Sequence, residues 1–101
     1  MADYYAPLDP DVLRRERVRA RELRASGWWK RRTADGICYY CRRAVGAGRL
    51  TMDHLVPLAR GGRSIRGNVV PACSDCNVQK KTRLPVEWTE YLDTLRDTAD
   101  E

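Results

Sequence analysis

Leu13, Ala20 and Leu23 make a thin apolar stripe at helical spacing inside an otherwise charged stretch. Asp9 is a suitable N-cap and Pro10 suits the first helical position. A helix is therefore predicted from about residue 10 to residue 25, with most of its arginines in water. Gly27 is expected to end it. Trp28-Trp29 then begins a connector, its rings sealing the edge of a small core or stacking on bases. A short strand is predicted from Leu50 to Leu55, ending at the Pro57 turn. Ala59 to Gly67 reads as a glycine-rich loop and Asn68 to Ala72 as a second strand. Ser74 or Asp75 can cap a following helix that carries Asn77, Lys80 and Lys81. Beyond Pro85, residues Trp88, Tyr91, Leu92 and Leu95 recur at i, i+3, i+4 and i+7, which predicts another helix with one core-facing stripe. Asp97 to Glu101 should fray. The outline is a single small α+β domain in three parts: a basic helical segment (1–27), a central core (28–84), and a C-terminal amphipathic helix and tail (85–101).

Composition adds constraints. A chain of 101 residues buries a modest core, so a metal staple is physically reasonable. No apolar run approaches the ~20 residues of a membrane span, and no membrane partner is expected. The opening Met-Ala-Asp-Tyr-Tyr has neither the basic nor the apolar region of a signal peptide. A cytoplasmic location follows as the expectation. There, four cysteines in two pairs read as metal ligands before disulfides. The formal net charge is +5, and it is unevenly spread. Residues 14–32 hold nine Arg or Lys against Glu16 and Glu22, a net of +7, whereas residues 87–101 carry a net of −5. Such a basic stretch attracts polyanions such as nucleic acid. The alternative is a solvated helical face.

The chemistry sits between and beside the cysteines. In order the chain shows Cys38-x-x-Cys41, Asp53-His54, Asn68, and Cys73-x-x-Cys76 followed at once by Asn77. Zinc takes four tetrahedral thiolates, and each short Cys-x-x-Cys turn supplies two. With every position filled by protein, such a metal is structural. A redox dithiol or an iron centre would also use cysteines, but two pairs favour zinc. His54 is the only histidine. A neutral imidazole can accept a proton from water at neutral pH. Aspartate offers a hard cation one negative oxygen, and an asparagine amide offers a neutral one, leaving net positive charge to face a phosphate.

Cys38 to Lys81 resembles a zinc-containing HNH endonuclease of the ββα-metal, or His-Me finger, type. Asn68 stands fourteen residues after His54, and Asn77 nine after that. Asp53-His54-Leu55-Val56-Pro57, Gly61-Gly62 and Asn68-Val69-Val70-Pro71 fit the same pattern. The resemblance implies a metal-dependent hydrolase of DNA phosphodiesters leaving 5′-phosphate and 3′-hydroxyl ends. By that resemblance His54 is the general base, Asp53 and Asn77 hold one catalytic Mg²⁺ or Mn²⁺, and Asn68 ties the loop to the strand. Many relatives carry histidine where this chain has Asn77. Adjacent strand residues face opposite ways, so the strand is expected to end or bulge between Asp53 and His54. Arg60, Arg63, Arg66, Lys80 and Lys81 are candidate phosphate contacts, or else solvated charges and counterions to the thiolates. One site per chain suggests a monomer or weak dimer that nicks DNA, with a phage or bacterial DNA-processing partner. The rival reading is a non-catalytic zinc module that binds nucleic acid or a partner protein.

Overall fold

A computed structural model describes residues 9–80 and 83–90. Helix α1 (Pro10–Ala25) starts where the Asp9 carboxylate accepts the N–H groups of Asp11 and Val12 at 2.9 and 3.1 Å. Those bonds satisfy two of the unpaired donors of its first turn. Its end differs from the expectation for Gly27. The Ser26 hydroxyl donates to Leu23 O (2.6 Å) and accepts from the Trp29 N–H (3.2 Å). One serine thus closes α1 and caps α2 (Gly27–Thr33). Trp28-Trp29 therefore lies in a helix, and the expected boundary between residues 27 and 28 falls inside it. Trp29 is buried.

Gly36, at φ +72°, ends the helical region and leads into the first cysteine turn. There Cys38 N–H donates to Arg43 O and Arg42 N–H to Cys38 O, both at 3.0 Å. Arg42 takes a left-handed conformation, φ +65°. Strands β1 (Leu50–His54) and β2 (Val69–Cys73) then pair antiparallel, with Leu50 opposite Cys73 and His54 opposite Val69. The pairing runs without a bulge through Asp53 and His54, so the expected break between them does not occur. The strand instead ends just after His54. Helix α3 (Ser74–Lys80) follows β2 directly, so that β1, β2 and α3 form a ββα unit.

The core of this unit is built around sulfur: Cys38, Ala72, Cys73, Cys76 and Trp88, with Tyr40, Val45 and Leu50 packed against them. Trp88 sits in a helical stretch over residues 85–90, its ring 5.7 Å from and edge-on to Tyr40. Tyr91, Leu92, Leu95 and the tail expected to fray lie outside the described residues, as does Lys81. None of the described helices is long and apolar enough to cross a membrane.

Between the strands, Pro57 O accepts N–H groups from both Arg60 and Gly62 at 2.9 Å, and Gly61 turns at φ +90°. A Cβ at Gly62 would fall 1.7 Å from Val56 O, a backbone atom with nowhere to move. Gly62→Ala should therefore destabilise by about 1–3 kcal/mol or more. Thermal melting should show a drop of about 4–8 °C per kcal/mol, and a variant melting with the wild type would contradict the packing.

Candidate active site

The two cysteine turns bring all four Sγ atoms within 4.8 Å of one another. Four sulfurs at ~2.3 Å from a tetrahedral zinc lie about 3.8 Å apart. Cys41 and Cys73 stand at 3.9 Å, so the cluster fits that ion. All four cysteines are free thiols. Arg43 lies over the cluster, with Nε 3.2 Å from Cys41 Sγ and Nη2 3.5 Å from Cys73 Sγ, and it also pairs with Asp75. Burial alone would raise the Cys41 thiol, but Arg43 outweighs it and brings that group down to about 6. Burial pushes the deeper Cys76 thiol up. The arginine thus supplies positive charge where a zinc tetrathiolate would carry net negative charge.

On the α3 side of β1, Asp53 is buried. Its Oδ2 lies 3.2 Å from Lys80 Nζ and accepts the Tyr40 hydroxyl. Burial first, and this hydrogen bond second, push Tyr40 far above the ordinary range, so it stays a donor. Lys80 is wholly buried and also donates to His54 O at 3.0 Å. Two residues earlier on the same strand face, Thr51 donates its hydroxyl proton to Ala72 O (2.9 Å). Its oxygen must then accept from Asn77 Nδ2, 3.0 Å away. That contact turns the Asn77 amide so that Oδ1, the atom able to ligate a cation, points away from Thr51. Among the described residues, no hydrogen bond reaches Asp53 Oδ1 or Asn77 Oδ1. A carboxylate and an amide oxygen suit a hard divalent cation.

His54 faces the other way, half-buried. Its Nε2 lies 3.0 Å from Ser64 Oγ. Burial is the main reason its pKa falls below the ordinary 6.5, and the ring is neutral at physiological pH. Asn68 braces the loop beyond it. Its Oδ1 accepts Val56 N–H at 2.9 Å, while Nδ2 donates to Val56 O at 3.1 Å and Arg63 O at 2.8 Å.

Residues 38–92, just over half of the chain, match the HNH endonuclease family. This chain belongs to that family. A search of curated proteins gave no match. Membership indicates nuclease activity and nucleic-acid binding in general terms. The matched segment contains the four cysteines, Asp53, His54, Asn68 and Asn77, while α1 and α2 lie outside it.

Within this HNH domain the expected phosphate contacts fare unequally. Lys80 is corrected: a side chain with no exposed surface, paired to Asp53, cannot meet DNA in this conformation. Arg60 pairs with Glu87 at 2.8 Å, Arg63 with Glu16 at 3.5 Å, and Arg66 lies over the Trp28 ring at 5.4 Å. Each of these arginines keeps part of its surface in solvent. Tyr40, Thr51, Ser64 and Glu16 touch the site residues and were absent from the expected set. Only Glu16 left a signal in the sequence: it falls at helical spacing on the stripe of Leu13 and Ala20, where a carboxylate needs a buried partner.

The cysteine geometry leads to a metal prediction. Purified protein should contain about one zinc per chain, and chelation should unfold it, since zinc binding of about 10–16 kcal/mol exceeds the stability of a small domain. Metal analysis with circular dichroism checks both. A folded, metal-free chain in reducing buffer would contradict it.

Proposed function

We propose that the protein is a metal-dependent HNH endonuclease that hydrolyses DNA phosphodiester bonds, with His54 as general base. The observation that carries this reading is a set of three atoms to which, among the described residues, no hydrogen bond is made, two on the α3 side of β1 and one on the opposite face. They are Asp53 Oδ1, Asn77 Oδ1 and His54 Nδ1, each belonging to a side chain whose other polar atom is held. Asp53 and Asn77 would hold one Mg²⁺ or Mn²⁺. When bound, that ion offsets charge on the phosphoryl oxygens and on the leaving 3′ oxygen. His54 accepts the proton of the attacking water. Lys80 and Tyr40 hold Oδ2 of Asp53 and fix its rotamer, so that Oδ1 alone is offered. The cysteine cluster holds a structural zinc that joins the turn before β1 to the start of α3. Reduced thiols of this kind agree with a cytoplasmic setting. Arg63, Arg66 and the arginines of α1 supply the basic surface for the duplex, and products carry 5′-phosphate and 3′-hydroxyl ends.

One observation favours the rival, a non-catalytic zinc module for nucleic acid or a partner protein. Asp53 already has a countercharge in Lys80, so the fold does not require a second cation there. Cleavage assays separate the two readings. His54→Ala should lose cleavage by about 10²-fold or more while keeping zinc and fold. Asp53→Ala and Asn77→Ala should lose activity with weakened Mg²⁺ dependence. Wild-type protein inert with both Mg²⁺ and Mn²⁺ would favour the module.

The pH dependence has a defined sign. The neutral base predominates above its folded pKa, which lies below 6.5. The rate should rise with pH across that lower range and be level by neutrality. Stability contributed by the neutral ring is fully present above 6.5 and declines as pH falls toward the folded pKa, because the unfolded chain takes up the proton first. A kcat profile still climbing well above neutrality would assign the base elsewhere.

One site holds one scissile phosphate. Supercoiled plasmid should accordingly give open circles first and linear DNA later. Linear product without a nicked intermediate at limiting enzyme would point to a concerted dimer.

A further inference from the structure

The buried carboxylate of α1 is not used by the chemistry above, yet it reaches the base through one residue. Glu16 is 1% exposed on a helix whose other charged residues face solvent. Its Oε1 accepts the Ser64 N–H at 2.6 Å, and its main-chain oxygen accepts the Ser64 hydroxyl at 2.7 Å. Its Oε2 lies 3.4 Å from Arg19 and 3.5 Å from Arg63. Ser64 is thus gripped by both of its own donors, 48 residues along the chain from its partner.

A hydroxyl has one proton. Here that proton goes to Glu16 O, so toward His54 the Ser64 oxygen can only accept. Nε2 must then carry the imidazole hydrogen, and in the neutral ring Nδ1 is left bare. Among the described residues no hydrogen bond is made to Nδ1. A tautomer is assigned from its hydrogen-bond network, and this network has one consistent solution.

We propose that Glu16 and Ser64 are positioning residues for the base. Ser64, clamped by α1, locks His54 as the Nε2–H tautomer and so selects Nδ1 as the atom that takes the proton. The basic helix outside the family-matched segment thereby becomes part of the catalytic apparatus. This rests on the reading of His54 as general base, but it makes a separate structural claim about which nitrogen bears hydrogen.

Because His54 is the only histidine, long-range nitrogen–proton correlation spectra report that ring without overlap. In zinc-loaded, full-length protein at alkaline pH the ring should be a single Nε2–H tautomer. Ser64→Ala should give a tautomer mixture and lower kcat by about tenfold or more, with DNA affinity within about twofold of wild type. Ser64→Thr, which keeps the hydroxyl, should restore most of the rate and the spectrum. Glu16→Ala should lower kcat in the same direction, and the double variant Glu16→Ala/Ser64→Ala should lose less than the product of the single losses, since both act through one contact. A wild-type ring found as Nδ1–H overturns the proposal without any variant, as does Ser64→Ala with an unchanged spectrum and kcat. If His54→Ala cleaves as wild type does, the general-base reading fails, while the wild-type spectrum still decides the tautomer.

Discussion

Four sulfur atoms within 4.8 Å of one another, from two turns 35 residues apart, impose the constraint that the rest of the domain obeys. Left as thiolates without a cation they would repel, and left as thiols they would waste a buried cluster. Held by zinc they would fix the turn before β1 against the junction of β2 and α3. That junction carries Asn77 one residue beyond Cys76, so the structural cluster sets where the helix starts and hence which way Asn77 faces. The packing around the sulfurs is too small to do this alone: among the described residues five buried side chains form that cluster, and three of them are cysteines.

Above this anchor, the pleat of β1 divides the labour. Thr51 and Asp53 point toward α3, and His54 points toward the loop and α1. On each side a hydroxyl resolves an ambivalent neighbour. Thr51 gives its proton to Ala72 O and so orients the Asn77 amide; Ser64 gives its proton to Glu16 O and so orients the His54 ring. Both hydroxyls spend their donor on a backbone carbonyl, the least adjustable acceptor available. The Asn77 amide and the His54 ring are therefore directed by the backbone itself, at one remove.

Much of this was legible in local pattern. The cap at Asp9 and Pro10 placed the start of α1, the Pro57 turn and the glycine-rich loop placed β1 and β2 within a residue of their ends, and paired Cys-x-x-Cys spacing announced the sulfur cluster. What escaped depends on partners remote in sequence. Trp28-Trp29 read as a connector because Gly27 looked like a terminator, whereas Ser26 does the ending and frees Gly27 to begin α2. Lys80 read as a phosphate contact because lysines on short helices are ordinarily wet. It is buried because Asp53, 27 positions earlier, is its ion partner across the β1–α3 interface. Ser64, in a loop of arginines and glycines, carried no signal at all, since its importance lies in two bonds to a helix 48 residues away.

Pro71 has an effect that reaches beyond the domain. It sits mid-way along β2, and its carbonyl, turned away from β1, is occupied by the Tyr39 N–H at 2.8 Å. Proline offers no N–H of its own. The outer margin of β2 therefore lacks both a donor and a spare acceptor at its midpoint, and the first cysteine turn lies across it. Two copies of this chain cannot join by extending their sheets along that margin. An assembly that places two of these sites on opposite strands of a duplex must therefore use some other surface than this margin. Its geometry is then not fixed by a ladder along β2.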